Sequence, residues 1–236
     1  MDLSHNLQRL AEDVTSQTAQ KLSSAQRCRL ILIEAIKQGI LPPGQKLIEA
    51  DLGKALFVSR TPLREALAAL RAVGVIEADG QTMRVRKLFW RDIHDLYEMR
   101  TLLEGTAAKY AARHSGPAEK QLLEQLVEAE ETLINNAAKP QELAEHNRQF
   151  HHAIMQTARN EFLRESLDKL SHLFVLIGDT AYQLEDRSFS AHLQHKAIAE
   201  AICYGNEVRA QQAMEDHLKD ALAARLRILS ISDDTL

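Results

Sequence analysis

Two groups of residues have the types and spacing to do chemistry. Asn147 and His151, in EHNRQFHHAI, stand four apart and share one face of any helix that contains them. His195, in LQHKAIAEAI, and His217, in MEDHLKDAL, lie on two later helical stretches. Each of the three histidines borders an apolar stripe, so a helical bundle would turn them inwards. Three imidazoles and one oxygen donor converging there can hold a divalent transition metal with coordination positions left open. The other reading is three separate core histidines, each hydrogen-bonded in its own place. The second group is VSRTPLREAL, residues 58–67. Ser59 suits an N-cap and Pro62 suits the first helical turn, where its missing N–H costs little. Arg60 and Arg64 share a face, while Leu63, Leu67 and Leu70 form the apolar one. Hydrogen-bond donors gathered at a helix N-terminus, with an apolar face behind them, suit anionic phosphates and base edges.

The elements that must position these residues are mainly helical. A capped helix starts at Ser23 or Ser24 and runs to about Ile40, a Pro43-Gly44 turn follows, and LIEADLGKAL precedes the SRTP helix after a tight break at Phe57. Beyond Gly74 the period changes to the alternation of a strand in VIEADGQTMRVRKL, with a turn signal at Asp79-Gly80. Two helices and then a hairpin describe a winged helix-turn-helix, with Arg84, Arg86 and Lys87 on the wing as phosphate contacts. From Trp90 to Ser230 only helical periodicity appears, broken near Ser115-Gly116-Pro117, Lys139-Pro140, Asn160, Ser188 to Ser190 and Gly205-Asn206. About six helices result, enough for an antiparallel bundle. The expected organisation is a flexible N-terminal arm or frayed helix over 1–22, a DNA-binding domain over 23–88 and an all-α domain over 89–232.

Composition supports the division and narrows the function. Residues 1–88 carry 13 Lys/Arg against 9 Asp/Glu, whereas residues 89–236 carry 16 against 24. A basic N-terminal part on an acidic body points to an anionic partner for the first part alone. Cys28 and Cys203 are too far apart in sequence for a cysteine metal cluster. The longest apolar runs are too short to span a bilayer and no charged n-region precedes one, so a cytoplasmic protein is expected.

IKQGILPPGQKL, VSRTPLREAL and the hairpin together resemble the GntR family of bacterial transcription regulators. That resemblance implies DNA contacts from Ser59, Arg60, Thr61 and Arg64, with Gly80 at the wing tip. Phe57 stands where the family's turn usually has glycine, and Ala50 where some relatives place a DNA-contacting arginine. WRDIHDLYEMRTLLEGTAAKYAA, NRQFHHAI, ARNEFL, HKAIAEAI and MEDHL resemble the FCD effector domain of the FadR subfamily. The likeness implies metal ligands Asn147, His151, His195 and His217, holding zinc or nickel, with Asn147 in the place of a commoner Asp. It also implies that Arg100 faces a small organic acid effector. The alternative for Arg100 is a surface i,i+4 pair with Glu104, itself read as structural. His146, His152 and His192 are expected on the surface. The whole describes a homodimeric, non-enzymatic repressor that binds double-stranded operator DNA, with no membrane partner. Its rivals are a regulator whose signal is the metal itself and a metal-dependent hydrolase with Glu145 or Glu200 near the histidines.

Overall fold

A computed structural model describes residues 3–17, 22–178 and 180–233, and the chain divides into two compact units. The first holds residues 1–89 together with 171–178. Its helices are α1 (Leu3–Gln17), α2 (Ser24–Lys37), α3 (Glu49–Ala55) and α4 (Arg60–Ala72). Ser23 caps α2 through a reciprocal bond pair with Gln26, at 3.1 and 2.9 Å. Leu63, Ala66, Leu67 and Leu70 give α4 a buried stripe that packs against α2. Strands β1 (Lys46–Leu47), β2 (Ile76–Asp79) and β3 (Thr82–Val85) form an antiparallel sheet in the order β1-β3-β2. The wing therefore has a third short strand beside the expected hairpin.

Two expectations need correction here. Residues 3–17 are not a flexible arm: they form α1, and Leu7, Leu10 and Ala11 are buried in the core of the first unit. Their apolar spacing is sparse, but a single narrow stripe is enough when α2 and α3 lie under it. Nor is the all-α half continuous. A 3-10 segment, His172–Ile177, belongs to the first unit, with Leu176 buried in its core and Leu173 and Val175 packed beside it.

The second unit, residues 90–170 and 179–236, contains six α-helices: α5 (Trp90–His114), α6 (Pro117–Asn135), α7 (Pro140–Thr157), α8 (Glu161–Ser171, whose last residue falls in the first unit), α9 (Arg187–Cys203) and α10 (Glu207–Asp233). A short 3-10 turn, Ala181–Gln183, precedes α9. The expected break at Ser188 to Ser190 lies inside α9, and the helical run stops earlier, between α8 and Asp186. Serines fit the first turn of a helix as well as a loop; Ser190 donates to the Arg187 carbonyl at 3.1 Å. Core residues Ala107, Ala108, Ala111, Phe150, Ile154, Ile198, Ile202, Met214 and Leu218 come from α5, α7, α9 and α10. Gly105 is needed where α10 crosses α5, since a Cβ there would stand 2.9 Å from Glu215 Cγ.

The turn between α3 and α4 contains a strained residue. Phe57 has φ 51°, and the Val58 and Phe57 amides donate back to Gly53 and Lys54 at 3.1 and 3.4 Å. These bonds make Phe57 the left-handed residue that ends α3, a place that favours glycine. Its ring is 79% exposed, so little packing offsets the strain. A left-handed backbone costs a residue with a Cβ about 1–2 kcal/mol, of which glycine returns about 0.4–1 through the unfolded chain. Phe57→Gly is therefore expected to raise the melting temperature by about 2–4 °C in thermal denaturation. A lower melting temperature would show that the ring packs more than its exposure indicates.

Candidate functional site

In the first unit the structure places Ser59 at the N-cap of α4, in extended conformation (φ −72°, ψ 167°), and its hydroxyl makes no capping bond. Ser59, Arg60, Thr61 and Arg64 are all exposed at that end of the helix. Arg64 is held by Glu49 of α3, Nε to Oε2 at 2.8 Å. Gly80 (φ 62°) lies in the two-residue turn of the wing, where Asp79 pairs with Thr82. Arg84 stands between Lys46 and Glu77 in the sheet register and is bonded to Glu77 Oε1 at 2.6 Å. Lys46 reaches Asp79 at 3.4 Å. Arg86 falls just past β3 and is half-buried, with Nη1 3.5 Å from where a Cβ on Gly74 would stand, so it does not share the open face of Arg84. Exposed pairs of this kind contribute about 0–1 kcal/mol, so phosphate contacts can displace them.

The second unit brings His151, His195 and His217 together. One nitrogen from each lies within 4.8 Å of the others, and ring centroids are 4.6 to 5.6 Å apart. They come from α7, α9 and α10, with exposures of 8%, 0% and 1%. Each Nδ1–H has an acceptor: Glu104 for His151, both oxygens of Glu130 for His195 at 2.9 Å, and Gln194 Oε1 for His217 at 2.9 Å. Gln194 is oriented in turn by its own amide, which donates to Asp220. Holding Nδ1 as the donor leaves each Nε2 with its lone pair. The Nε2 atoms of His151 and His195 are buried with no hydrogen-bond partner. Orphaned buried lone pairs are costly unless something completes them, and a divalent cation fits both their number and their character.

Electrostatics favour the same state. Burial is the largest cause that lowers His195, to about 4, and it lowers His217 well below the usual range; the neighbouring imidazoles add to both. Both rings are therefore neutral at pH 7. Burial works against ionised Glu104, but Arg100 and His151 outweigh it and bring its pKa down to about 2. Burial also opposes ionised Glu130, and its hydrogen bond to His195 lowers it in spite of that.

Asn147 lies one turn before His151 on α7, half-buried, and its Oδ1 accepts from the Tyr182 hydroxyl at 3.1 Å. A second lone pair on that oxygen remains. Arg100 donates to Glu104, but the pair is buried, with side chains 15% and 11% exposed, so the surface-pair alternative does not hold. Glu104 is more than structural, since it bridges Arg100 and His151. His146 and His192 are buried, against expectation, and His192 Nδ1 lies 3.3 Å from Glu130. His152 is exposed. Glu145 and Glu200 are exposed too, with Glu145 paired to Arg148, so neither accompanies the histidines as a base.

Sequence reasoning missed Glu130, Gln194 and Tyr182. One signal was available for Glu130: it continues the Leu123, Leu126, Val127 stripe of α6, where a charge inside an apolar row marks a buried partner.

Two family models match the chain: bacterial regulatory proteins of the gntR family over residues 25–82, and the FCD domain over residues 95–220. The chain belongs to the GntR family, with an FCD domain. Among its relatives, the Glc operon transcriptional activator of Escherichia coli is 30% identical over 210 residues, 78% of this chain and 82% of that one. A probable D-xylose utilization operon transcriptional repressor of Paenarthrobacter nicotinovorans is 26% identical, over 90% of this chain and 93% of its own. Escherichia coli McbR/YncC has the same fold, with a TM-score of 0.73 over 88% of this chain and 99% of its own at 21% identity. The protein is a DNA-binding bacterial transcription regulator, as its relatives are. No helix among the described residues is long and apolar enough to cross a membrane.

The carboxylates behind the histidines yield a test. Glu130→Gln keeps the shape but weakens the acceptor of the His195 Nδ1–H. A metal held by the three histidines would then bind about 10- to 100-fold more weakly, measured with zinc by competition with a chromophoric chelator, with helicity retained. Unchanged affinity would show that Glu130 only fills space.

Proposed function

We propose that this regulator senses a small organic acid at a metal-bearing site in its FCD domain, and that this binding controls its affinity for operator DNA as a homodimer. The observation that carries the reading is the triad of buried imidazoles, each with Nδ1 tied back and two with unpartnered Nε2 atoms. His151, His195 and His217 would hold a divalent ion such as zinc or nickel, with the Asn147 amide oxygen as a fourth donor. The ion would supply a fixed positive charge for an acid group. Because Asn147 is neutral where an aspartate would bring a charge, the occupied site keeps the full charge of the ion, which favours an anion. Arg100 lies beside the same histidines, held by Glu104, and a guanidinium is suited to a carboxylate. The acid would act by favouring one arrangement of the dimer over another. Repression is the proposed sense of control, in keeping with the repressor named among the relatives.

On the DNA side, Ser59, Arg60, Thr61 and Arg64 are the proposed base and phosphate contacts, with Gly80 and Arg84 on the wing; Arg86, half-buried beside Gly74, is left out of that set. Arg60→Ala and Arg64→Ala should each cost about 1–3 kcal/mol on the specific operator. Fluorescence anisotropy measures this, and equal affinities for Arg64→Ala and wild type would overturn the role of α4.

On the metal side, one zinc per chain is expected by elemental analysis, and His217→Ala should lose most of it. Asn147→Asp should bind the ion more tightly and a carboxylate more weakly, since the added charge opposes the acid. Calorimetry reads both. Metal-free protein that takes up no zinc, nickel or manganese overturns the site, and Asn147→Asp with wild-type metal affinity removes residue 147 from it.

A further inference from the structure

Arg187, the first residue of α9, is a buried cation without an anion. It is 8% exposed, and the hydrogen bond its side chain makes among the described residues is to Gln194 Oε1, at 3.3 Å. Among the described residues no carboxylate lies within ion-pair distance of it. The two buried carboxylates of the site are engaged elsewhere: Glu104 by Arg100 and His151, Glu130 by His195 and His192. Removing a guanidinium from water costs far more than one long hydrogen bond to an amide returns.

The surroundings add to this excess. Arg187 stands at the positive end of a 17-residue helix with no acidic residue in its first turn. Asp186, the N-cap, is exposed and makes no side-chain capping bond. Gln194, which Arg187 touches, is the residue that holds His217. The charge of Arg187 also bears on Tyr182, His195 and His217, and that of Arg100 on Tyr182 and His217. With a divalent ion on the histidines, four positive charges meet two from Glu104 and Glu130. A dianion closes the balance.

We propose that Arg187 is a second anion anchor and that the effector of this site is a small dicarboxylate, with one acid group toward the histidines and Arg100 and the other on Arg187 at the start of α9. The proposal rests on the organic-acid reading given above and narrows it. A monocarboxylate would leave Arg187 as it stands, buried and uncompensated. Planar guanidinium forks are suited to carboxylates, which they bind in two-pronged fashion.

The test is calorimetry on the zinc-loaded full chain with two matched pairs of probes, succinate against butyrate and L-malate against L-lactate. Wild type should bind each dicarboxylate about 10- to 100-fold more tightly than its partner, the range for a hydrogen-bonded charge. Arg187→Gln should lose that difference while keeping zinc stoichiometry and monocarboxylate affinity. Without ligand, Arg187→Gln and Arg187→Met should melt no lower than wild type and up to about 2–4 °C higher, because a buried uncompensated charge has been removed. Variants that melt lower overturn the proposal, since they mark Arg187 as a structural residue. Equal binding of both probe classes by wild type, or unchanged dicarboxylate affinity in Arg187→Gln, also overturns it and leaves the organic-acid reading intact. Binding of neither class overturns both.

Discussion

A buried carboxylate accepting the Nδ1–H of a histidine is the interaction on which the effector domain depends. Glu130 is 1% exposed and has no Lys or Arg ion-pair partner among the described residues; His195 and His192 are what hold it. Ionised carboxylates that deep survive only when hydrogen-bonded, so α6 and α9 are fixed at the spacing that lets Glu130 reach both rings. The same bond decides which nitrogen of His195 carries the proton and which is left as a lone pair. Glu104 does this for His151 from α5, and it holds Arg100 as well. Packing, protonation and ligand chemistry thus meet in two glutamates, neither of which is a proposed metal ligand.

Charge is handled in the opposite way at the proposed DNA-binding surface. Arg64 and Arg84 are paired with Glu49 and Glu77, but these pairs are exposed and their free energies are small. Such pairs orient an arginine without holding it against a polyanion. Buried pairs around the histidines cannot be exchanged so cheaply, because breaking one strands a charge away from water. One chain therefore uses weak pairing where its partner must displace it and strong pairing where a site must keep its shape.

Much of this was legible in the sequence. SRTPLREAL marked α4 and its exposed arginines because cap, proline and apolar stripe all point to one helix. The histidines were legible by type and by position at stripe edges, and family resemblance supplied the set. The partners behind them were harder. Glu104 reads as a structural residue in the sequence, with a surface i,i+4 pair to Arg100 as the alternative, since spacing alone does not say whether a helix face meets water or a neighbour. His146 and His192 looked exposed for the same reason, while α6 and its Glu130 lie over this part of the bundle. Tyr182 and Gln194 act through contacts between distant parts of the chain, which no local pattern encodes. The short apolar stripe of α1 acquires meaning only against α2 and α3, which no local pattern shows.

The segment 171–178 gives the molecule an uneven modularity. Leu176 fills the core of the DNA-binding unit although the stretches on either side of its segment belong to the other one. A fragment ending at residue 89 would thus lack one of its own core side chains, a loss comparable to a buried leucine truncation at about 2–5 kcal/mol. Grafting this DNA-binding unit onto a foreign effector domain would leave the same hole unless those eight residues travelled with it. The boundary along which such regulators are recombined is therefore discontinuous here, and a hybrid joined at one junction inherits a mismatched plug.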